Sequence, residues 1–599
     1  DVPEGGFGSS FDCCEFLPCG GMSEGGCCGF ITRVCNGIKQ AREQQAQMQA
    51  TMSRVPKNLK ALKAETPAVD VPEGGLPVAL RGWLESDSTS LAIVETCGAS
   101  ISRAELWIRI RAVSSRLRKA GLHSGDVVAL ALPNGIDFVS VFFGILAAGG
   151  VPLVLDSSWT GSTMAGHMLT NTAEFAVSTS ACAKHMIDAI ECVQDSHGIT
   201  CREHWWTGDI GHVREVAKGV MLSTLECTEI TDLYTDDGQA YPIALRPKGK
   251  DPAVLFLTSG SQGRTKACRL TQDAVVSQVE SLRQSSEMLG HLGAADVVGT
   301  CLSLSNVYGC AAVIAATLAQ GAQLLLAPVG QAKELFQAVP KYNATVVHVS
   351  PAQFQEVVAT GKPITCVKDV FLHGARAPLK MSPAVSDVFP SAQVRQAYGL
   401  TEAGGVTHVT PKGAASKGIG KALPGVGAQV VALDGSSQKA APKIRGELVV
   451  KTPGTFPGYI NDVQTTMEVL DDKGFLHTGD LAYTTEAGEI VVVGRVKDLV
   501  HCKGQLLEPE PVEKMLCEMG MTAAAVVGKE VEGTVGQVPV AFVVPTAGIN
   551  GTSAEEVKER VNSRIDPERG LADVIVVQKI SLTSKGDVDR AFYRKQVQD

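Results

Sequence analysis

A loop rich in glycine and hydroxyl side chains follows an apolar run, Ala253 to Leu257, that is typical of a buried strand. Glycines let the backbone approach an anion closely, hydroxyl groups donate hydrogen bonds to it, and a lysine adds positive charge. The Walker A spacing GxxxxGK[ST] is absent. We interpret the loop as a phosphate cradle, with an ordinary surface turn as the alternative. Its residues are Thr258, Ser259, Gly260, Ser261, Gln262, Gly263 and Lys266.

The same residues resemble a signature of the adenylate-forming superfamily, which includes acyl-CoA synthetases, adenylation domains of peptide synthetases and luciferases. That signature reads TSG[ST]TGxPKG, and this chain reads TSGSQGRTKA from Thr258. Gln262, Thr265 and Ala267 depart from the signature, but the glycines, the hydroxyl groups and Lys266 remain. The resemblance therefore implies that the loop holds the phosphates of ATP.

A second segment, QAYGLTEAGG, matches the family sequence YGxTE in full. The resemblance implies that adenine stacks on the ring of Tyr398 and that Thr401 forms a hydrogen bond with an α-phosphate oxygen. Glu402 would hold Mg²⁺ against the phosphates. Taken alone, the segment could also be a turn before a helix, with Thr and Glu as capping residues.

Three further segments occur in the order that the family predicts, one before the YGxTE segment and two after it. The segment HGARAPL resembles the Gly-Ala-Pro-Leu turn that lies against adenine, which implicates Gly374 and Ala375. The segment FLHTGDL contains Asp480, whose two carboxylate oxygens suit the neighbouring hydroxyl groups of a ribose. The segment GRVKD supplies Arg495 as a second ribose contact.

The segment DVVGTCLSLSNVYG ends where the family commonly has His-x-aromatic-Gly at the acyl pocket. The resemblance assigns Asn306, Tyr308 and Gly309 to the substrate pocket, with Asn306 in the usual place of His. Amino-acid-activating relatives generally place an Asp near here, yet no acid lies between Cys301 and Cys310. Because a buried ammonium group without a counter-charge is costly, we expect a fatty or aryl acid rather than an amino acid.

The C-terminal stretch departs most from the family pattern. His501 replaces the first lysine of the Lys-x-Lys-Gly loop, and Lys503 retains the second, which serves the thioester-forming conformation. Asp587 falls where the family has the adenylation lysine. Either Lys585 takes over that role, which we favour, or the first half-reaction is weak or lost.

The composition excludes several classes of protein. A hydrophobic content of 44% with 20% charged residues is ordinary for a soluble globular protein. The net charge of −9 argues against a nucleic-acid-binding surface. No apolar run of about 18 residues predicts a membrane-spanning helix.

Residues 1–75 are expected to form a flexible Cys/Gly-rich extension and a linker helix. Six of the 17 cysteines fall in the first 35 residues, and the others are scattered through apolar segments, as in reduced cytoplasmic proteins. S-acylation of the paired N-terminal cysteines, which would tether the protein to a membrane, is an alternative to a plain tail. Because the chain begins at Asp1 without Met, we expect a processed or longer natural polypeptide.

We predict that the strands and helices that carry these residues form an α/β fold with a parallel sheet. The pattern predicts a strand over 127–132, a helix over 136–148 and a strand over 151–155. Residues 195–250 are expected to be loop-like.

A chain of 599 residues exceeds a single core, so we predict at least two domains. Residues 76–496 would form a large, multi-subdomain AMP-binding N-terminal domain. Residues 497–599 would form a small, mobile α+β C-terminal domain hinged near Lys497, with ATP in the cleft between the two.

The resemblance implies ATP-dependent activation of a small-molecule carboxylic acid to acyl-AMP, with transfer to a thiol. The expected cofactors are ATP, Mg²⁺ and coenzyme A, or a phosphopantetheine in its place. The chain ends nine residues after Arg590, which favours coenzyme A over a carrier domain in cis. Loading of a separate carrier protein and a weakened nucleotide- or acyl-binding scaffold are the alternatives.

Overall fold

The computed structural model describes most of the chain from residue 75 onward. The described residues are 69, 75–85, 87, 89–197, 201, 203–217, 227–235, 248–259, 265–375, 384–414, 418–434, 438–502, 505–531, 536–546, 553–583 and 588–598. They belong to a compact unit of residues 60–599. The expected N-terminal extension and its cysteines lie outside these ranges, apart from residues 69 and 75. Within them, no helix is long and apolar enough to cross a membrane.

A seven-stranded sheet contains the predicted strand–helix–strand unit. Val127–Ala131 pairs in parallel with Val151–Val154, and the helix between them spans Ile136–Ala148, as expected. From edge to edge, the strands are Cys227–Glu229, Glu203–Thr207, Ala173–Thr179, Val127–Ala131, Val151–Val154, Pro252–Ser259 and Thr265–Thr271. The last two strands are antiparallel and flank the predicted phosphate cradle.

The expectation of a loop over residues 195–250 is wrong for part of that stretch. Glu203–Thr207 and Cys227–Glu229 extend the seven-stranded sheet, and the helix Ile210–Ala217 lies between them in sequence. Trp205 and Trp206 are both fully buried. Since neighbouring residues of a strand face opposite sides of its sheet, this strand is covered on both faces. A pair of apolar residues shows no alternation in the sequence, so the strand gave no periodic signal.

A nine-stranded sheet carries most of the other candidate residues. Its strands run in the order Lys421–Ala422, Gly405–Val409, Gln393–Leu400, Asp369–Leu372, Val346–Val349, Val297–Thr300, Gln323–Leu326, Leu91–Glu95 and Ser100–Ser102. Asp369–Leu372 and Gln393–Leu400 are parallel neighbours. Because parallel strands end at the same edge of a sheet, the turns after them bring Gly374 and Thr401 to that edge.

The helices connect the strands, and several have side-chain caps. Ser102 accepts a hydrogen bond from the Glu105 backbone, and the Glu105 side chain accepts one from Ser102 N, which fixes the start of the next helix. The α-helices are Gly75–Glu85, Arg103–Lys119, Ile136–Ala148, Gly161–Thr170, Ala183–His197, Ile210–Ala217, Gln272–Gln284, Ser286–Leu289, Ala316–Ala319, Ala332–Lys341, Pro351–Val358, Ala384–Val388, Val463–Val469, Pro509–Glu518, Ala554–Asn562 and Arg590–Gln598. Tyr308–Ala315 is a π-helix.

The C-terminal part is a small α+β unit, as predicted. Its three-stranded sheet consists of Met521–Glu530, Gln537–Pro545 and Asp573–Val576, and Val500–Cys502 pairs with Gln505–Leu507. A four-stranded antiparallel sheet precedes it in sequence, formed by Gly427–Val431, Gly446–Lys451, Leu476–Thr484 and Ile490–Arg495. The predicted hinge residue Lys497 lies in the 3-10 turn Val496–Asp498 that joins the two.

Candidate active site

The strands on either side of the predicted phosphate cradle are paired in register. Thr258 lies opposite Lys266, and Ser259 lies opposite Thr265. Residues 260–264, which include Gly260, Ser261, Gln262 and Gly263, lie outside the described residues. The antiparallel pairing holds Lys266 near the mouth of the loop, where a positive charge could meet a phosphate.

Lys266 contacts two side chains from a segment far along the chain. Its Nζ lies 3.6 Å from Asp462 Oδ2 and 5.1 Å from the centre of the Tyr459 ring. The Tyr459 hydroxyl donates a hydrogen bond of 2.7 Å to Glu402 Oε1. Burial, reinforced by the Glu402 carboxylate, raises the pKa of Tyr459, so the hydroxyl stays protonated and remains a donor. The phosphate-loop lysine and the proposed metal ligand are thus joined through one tyrosine.

Thr401 and Glu402 begin a sharp turn between two antiparallel strands. The 3-10 turn Thr401–Ala403 follows the strand Gln393–Leu400, and the Gly404 backbone N–H donates a 3.0 Å hydrogen bond to Thr401 O. Gly404 has a φ of +81°, and an added Cβ would lie 2.4 Å from Gly454 O. Only glycine fits this position without strain, so the turn that presents Thr401 and Glu402 is tightly specified.

The buried Asp480 contacts both Tyr398 and the half-exposed Arg495. Its carboxylate accepts a 2.5 Å hydrogen bond from the Tyr398 hydroxyl on Oδ2 and lies 3.0 Å from Arg495 Nε through Oδ1. Arg495 is paired with Asp480 across the four-stranded sheet and also donates to Thr478 O. Burial and the Asp480 charge raise the pKa of Tyr398 well above its usual value. A carboxylate has further lone pairs, so the cluster can still accept hydrogen bonds from hydroxyl groups.

The pairing of Tyr398 with Asp480 was missed at the level of the sequence. Tyr398 was expected to offer only its ring, yet its hydroxyl also positions the carboxylate. His408 packs beside Tyr398, with the two rings edge-on and their centres 6.2 Å apart. Burial lowers the pKa of His408 to about 4, so the imidazole is neutral. Tyr398 and Asp480 lie 82 residues apart in the chain, and no local sequence pattern indicates their contact.

Gly374 and Ala375 follow the strand Asp369–Leu372. Gly374 has a φ of +92°, and an added Cβ would meet nothing within 4 Å, so its backbone is accessible there. The adjoining His373 contacts the Ala397 carbonyl through Nδ1 at 3.1 Å. This contact ties the predicted adenine turn to the strand that ends in the YGxTE segment. Residues 376–383 lie outside the described residues.

Asn306 and Gly309 shape the turn at the start of the π-helix Tyr308–Ala315. The Asn306 side chain donates to Ser303 O at 2.8 Å and accepts from Gly309 N at 2.9 Å. A Cβ at Gly309 would lie 2.5 Å from Ser303 O, so no side chain fits there. The Tyr308 ring stacks on His373 at 3.6 Å with an angle of 5°, and its hydroxyl lies 2.7 Å from His348 Nδ1. Of the three predicted pocket residues, Tyr308 faces a cavity.

This cavity has a volume of about 110 Å³ and lies between the π-helix and the nine-stranded sheet. Its wall combines apolar side chains with charged ones, among them Asp296, Lys368, Asp369 and Lys412. Residues that line it include Tyr308, Ala312, His348, Phe371, Ala397 and Val406. Ala397 lies on the same strand as Tyr398, but Tyr398, Asp480 and Arg495 do not line this cavity. His348 carried no motif in the sequence and was not among the expected site residues.

The turn around Lys497 is held by the last helix, Arg590–Gln598. Arg594 donates to Lys497 O at 3.0 Å and pairs with Asp498 at 2.6 Å. Burial is the main cause that lowers the pKa of Lys497 below its usual value. The candidate catalytic residues Lys503 and Lys585, together with Asp587, lie outside the described residues.

Two family models match this chain. One, described as AMP-binding enzyme, matches residues 83–460, and the other, described as AMP-binding enzyme C-terminal domain, matches residues 512–587. The chain belongs to the AMP-binding enzyme family. The resemblance to the adenylate-forming superfamily, and with it the expectation of an enzyme, is thereby confirmed.

Similar proteins are known both as sequences and as solved structures. The chain is 27% identical over 514 residues to a 4-coumarate–CoA ligase of Pinus taeda, covering 82% of this chain and 89% of the relative. ATP-bound MatB from Rhodopseudomonas palustris superimposes with a TM-score of 0.73 at 23% identity, covering 88% of this chain and 99% of that one. A benzoate CoA ligase from Burkholderia xenovorans superimposes with a TM-score of 0.70 at 20% identity, covering 87% and 99%. These structures share the fold of this AMP-binding enzyme.

The carboxylate of Glu402 fits a magnesium ion in this AMP-binding enzyme. Mg²⁺ prefers oxygen ligands and is commonly held by one or two carboxylates together with substrate phosphates. Glu402 is partly buried, and Tyr459 fixes one of its oxygens. Among the described residues, no group of three or more His, Cys, Asp or Glu side chains could hold a metal by itself.

Proposed function

We propose that this AMP-binding enzyme is an acid–coenzyme A ligase that works in two half-reactions. A carboxylate oxygen of the substrate attacks the α-phosphorus of ATP, and the bond to pyrophosphate breaks, which leaves acyl-AMP. The thiolate of coenzyme A then attacks the acyl carbon, and AMP leaves. The single observation that best supports this proposal is the buried Asp480 carboxylate, held by Tyr398 and Arg495.

Each group of candidate residues would bind a different part of ATP. Asp480 and Arg495 would bind the ribose, Tyr398 and the turn at Gly374 and Ala375 would lie against adenine, and Thr401 would contact the α-phosphate. The loop after Thr258 and the side chain of Lys266 would hold the leaving phosphates. Fixing both reactants in one geometry, and aiming charge at the transferred group, lowers the barrier.

Magnesium would neutralise negative charge on the phosphates when it is bound. Glu402 would provide the protein ligand, and Tyr459 would keep that carboxylate in place. Lys266 lies over the ring of Tyr459, so its positive charge would also be available to the phosphates.

The proposed substrate is a fatty or aryl acid. Many side chains in the cavity wall are apolar, and the described segment between Cys301 and Cys310 contains no acid that would hold an ammonium group. The two acids that line the cavity, Asp296 and Asp369, are paired with Lys368 and Lys412. The printed names of similar proteins include coumarate, benzoate and fatty acyl CoA ligases. Coenzyme A is the proposed acceptor for the same reason.

Lys585 is the proposed replacement for the adenylation lysine that the sequence lacks at Asp587. A cation there would stabilise charge as the carboxylate joins the α-phosphate. Removing such a group commonly lowers the rate by about 10²- to 10³-fold. We therefore expect Lys585→Ala to lower acid-dependent pyrophosphate release by that factor, with Lys579→Ala as a matched control that leaves the rate unchanged.

The test is pyrophosphate release by the purified protein with MgATP and a panel of fatty, aryl and amino acids. Release with fatty or aryl acids is the expected result. Release with amino acids alone would replace this proposal with an amino-acid adenylation domain. No release with any acid, from a protein that still binds ATP, would favour the scaffold instead.

A further inference from the structure

We propose that Asp462 weakens the binding of phosphate to Lys266, so that pyrophosphate leaves the site readily once it has formed. This inference rests on the proposed function, because it concerns release of the first product from the same site. Asp462 acts through the ammonium group of Lys266 and touches neither the acid nor the acyl group. It is therefore a positioning residue rather than a catalytic one.

The segment that carries Asp462 is bonded to the strand Thr265–Thr271, which carries Lys266. Ile460 N donates a hydrogen bond of 2.9 Å to Ala267 O. Since Ala267 directly follows Lys266 in the chain, this bond joins the two segments beside the lysine. The backbone therefore brings Asp462 to Lys266 without relying on the attraction between their charges.

The two carboxylate oxygens of Asp462 have different partners. Oδ1 accepts a 3.0 Å hydrogen bond from Thr465 N and caps the helix Val463–Val469. Oδ2 lies 3.6 Å from Lys266 Nζ. Burial opposes ionisation of this carboxyl group, but the hydrogen bonds from Thr465 and the charge of Lys266 outweigh it and lower the pKa of Asp462 below its usual value. The negative charge is therefore present at neutral pH.

Lys266 has contacts that hold it in place independently of Asp462. Its strand pairs with Pro252–Ser259, where Thr258 lies opposite Lys266. Its Nζ lies 5.1 Å from the centre of the Tyr459 ring, and only 18% of its side chain is exposed. Because these contacts remain when Asp462 is changed, the loss of the carboxylate removes a negative charge and leaves the lysine in position.

The ion pair of Lys266 with Asp462 leaves the lysine able to bind a second anion. A hydrogen bond between an ammonium group and a carboxylate is typically about 2.7–2.9 Å long, whereas this pair is 3.6 Å apart. The N–H groups of Lys266 therefore remain available to phosphate oxygens. The carboxylate offsets part of the positive charge that a phosphate would meet, so pyrophosphate binds less tightly and dissociates faster than it would from Lys266 alone.

The test measures the binding of inorganic pyrophosphate and of MgATP to the purified protein by calorimetry. We expect Asp462→Asn to bind both about fivefold more tightly, since asparagine retains the oxygen that caps the helix but lacks the charge. In steady-state assays this variant should have a lower KM for ATP and stronger inhibition by added pyrophosphate, with an unchanged KM for the acid. Asp471→Asn is the matched control, because Asp471 also accepts backbone hydrogen bonds, from Lys473 N and Phe475 N, and should leave pyrophosphate binding unchanged.

Two further measurements separate an effect of charge from a loss of structure. In a Lys266→Met background, Asp462→Asn should change pyrophosphate binding by at most about twofold, since the group through which Asp462 acts is absent. Added salt should reduce the difference in binding between the wild type and Asp462→Asn, because salt screens interactions between partly exposed charges. A variant that only loosened the fold would show neither dependence.

The outcomes separate this inference from the proposed function. Unchanged or weaker pyrophosphate binding in Asp462→Asn, or a gain that persists in full in Lys266→Met or at high salt, would overturn the role of Asp462 even if acid-dependent pyrophosphate release is robust. The predicted gain in binding without any acid-dependent pyrophosphate release would support the role of Asp462 and overturn the ligase. Failure of the wild type to bind either pyrophosphate or MgATP would overturn both.

Discussion

At the scale of single residues, the site depends on side chains that hold one another rather than on isolated groups. The Asp480 carboxylate accepts a hydrogen bond from Tyr398 and forms an ion pair with Arg495. The Glu402 carboxylate accepts a hydrogen bond from Tyr459, whose ring lies against Lys266. Motif matching assigned a role to every one of these residues except Tyr459. It could not identify the contacts between them, because each contact joins segments that are distant in sequence.

Asp480→Asn should weaken ATP binding strongly. The change removes the charge that Arg495 faces and weakens the acceptor that Tyr398 uses. Hydrogen bonds to charged groups contribute about 1.5–3 kcal/mol, so kcat/KM for ATP should fall by roughly 10- to 100-fold. Asp472→Asn is the matched control, since that exposed aspartate lies nearby in the chain and should have no effect. An unchanged kcat/KM in Asp480→Asn would contradict the assigned role.

His477 and Glu447 predict a pH-dependent contribution to stability. Their side chains lie 2.7 Å apart, and the hydrogen bond to Glu447 is the main cause that raises the pKa of His477. A raised histidine pKa stabilises the fold fully below its ordinary value of about 6.5, and this stabilisation is lost as pH rises through the folded-state pKa. The difference in Tm between the wild type and Glu447→Gln should therefore be larger at pH 6 than at pH 8.

The control for this prediction is Glu486→Gln, which removes an exposed carboxylate paired with Lys443. Its effect on Tm should be small and the same at both pH values, because no histidine takes part in that pair. A Tm difference for Glu447→Gln that does not change between pH 6 and pH 8 would refute the linkage.

At the scale of secondary-structure elements, the turn around Gly404 has the strictest requirements. Gly404→Ala would combine a positive φ with a Cβ only 2.4 Å from a carbonyl oxygen. We expect a loss of about 2–4 kcal/mol in unfolding free energy and a higher KM for ATP, because Thr401 and Glu402 would shift. Gly413→Ala is the control, since its φ is +74° but its Cβ would meet nothing within 4 Å.

The Gly413 control should show only the conformational part of the cost, about 1–2 kcal/mol, with normal kinetics. Chemical unfolding and steady-state kinetics of the two variants provide the comparison. Equal losses of stability in both, with unchanged KM, would show that the contact with Gly454 does not constrain the turn.

Sequence patterns predicted the elements where periodicity is strong and failed where burial arises from tertiary packing. The helix Ile136–Ala148 and its flanking strands were predicted almost to the residue. The strand at Trp205 and Trp206 was missed because two adjacent buried residues carry no period. His348 was missed for a related reason: it lies within a strand of the core sheet, and only the fold places it beside Tyr308.

At the scale of the whole molecule, the proposed reaction needs both parts of the chain. The described candidate residues for nucleotide binding lie before residue 497, whereas the candidate lysines at 503 and 585 lie after it. Arg445 and Glu508 form an ion pair between a residue beside the four-stranded sheet and the start of the first C-terminal helix. The domain boundaries at 76, 496 and 497 remain predictions, as do the roles assigned to individual residues.

We propose that this one chain couples ATP cleavage to thioester formation. To test this directly, the purified protein is incubated with MgATP, coenzyme A and an aryl or fatty acid, and every product is quantified by mass spectrometry. We expect AMP, pyrophosphate and acyl-CoA in equal amounts, all dependent on the acid. Formation of ADP, or of AMP and pyrophosphate without any thioester, would contradict it.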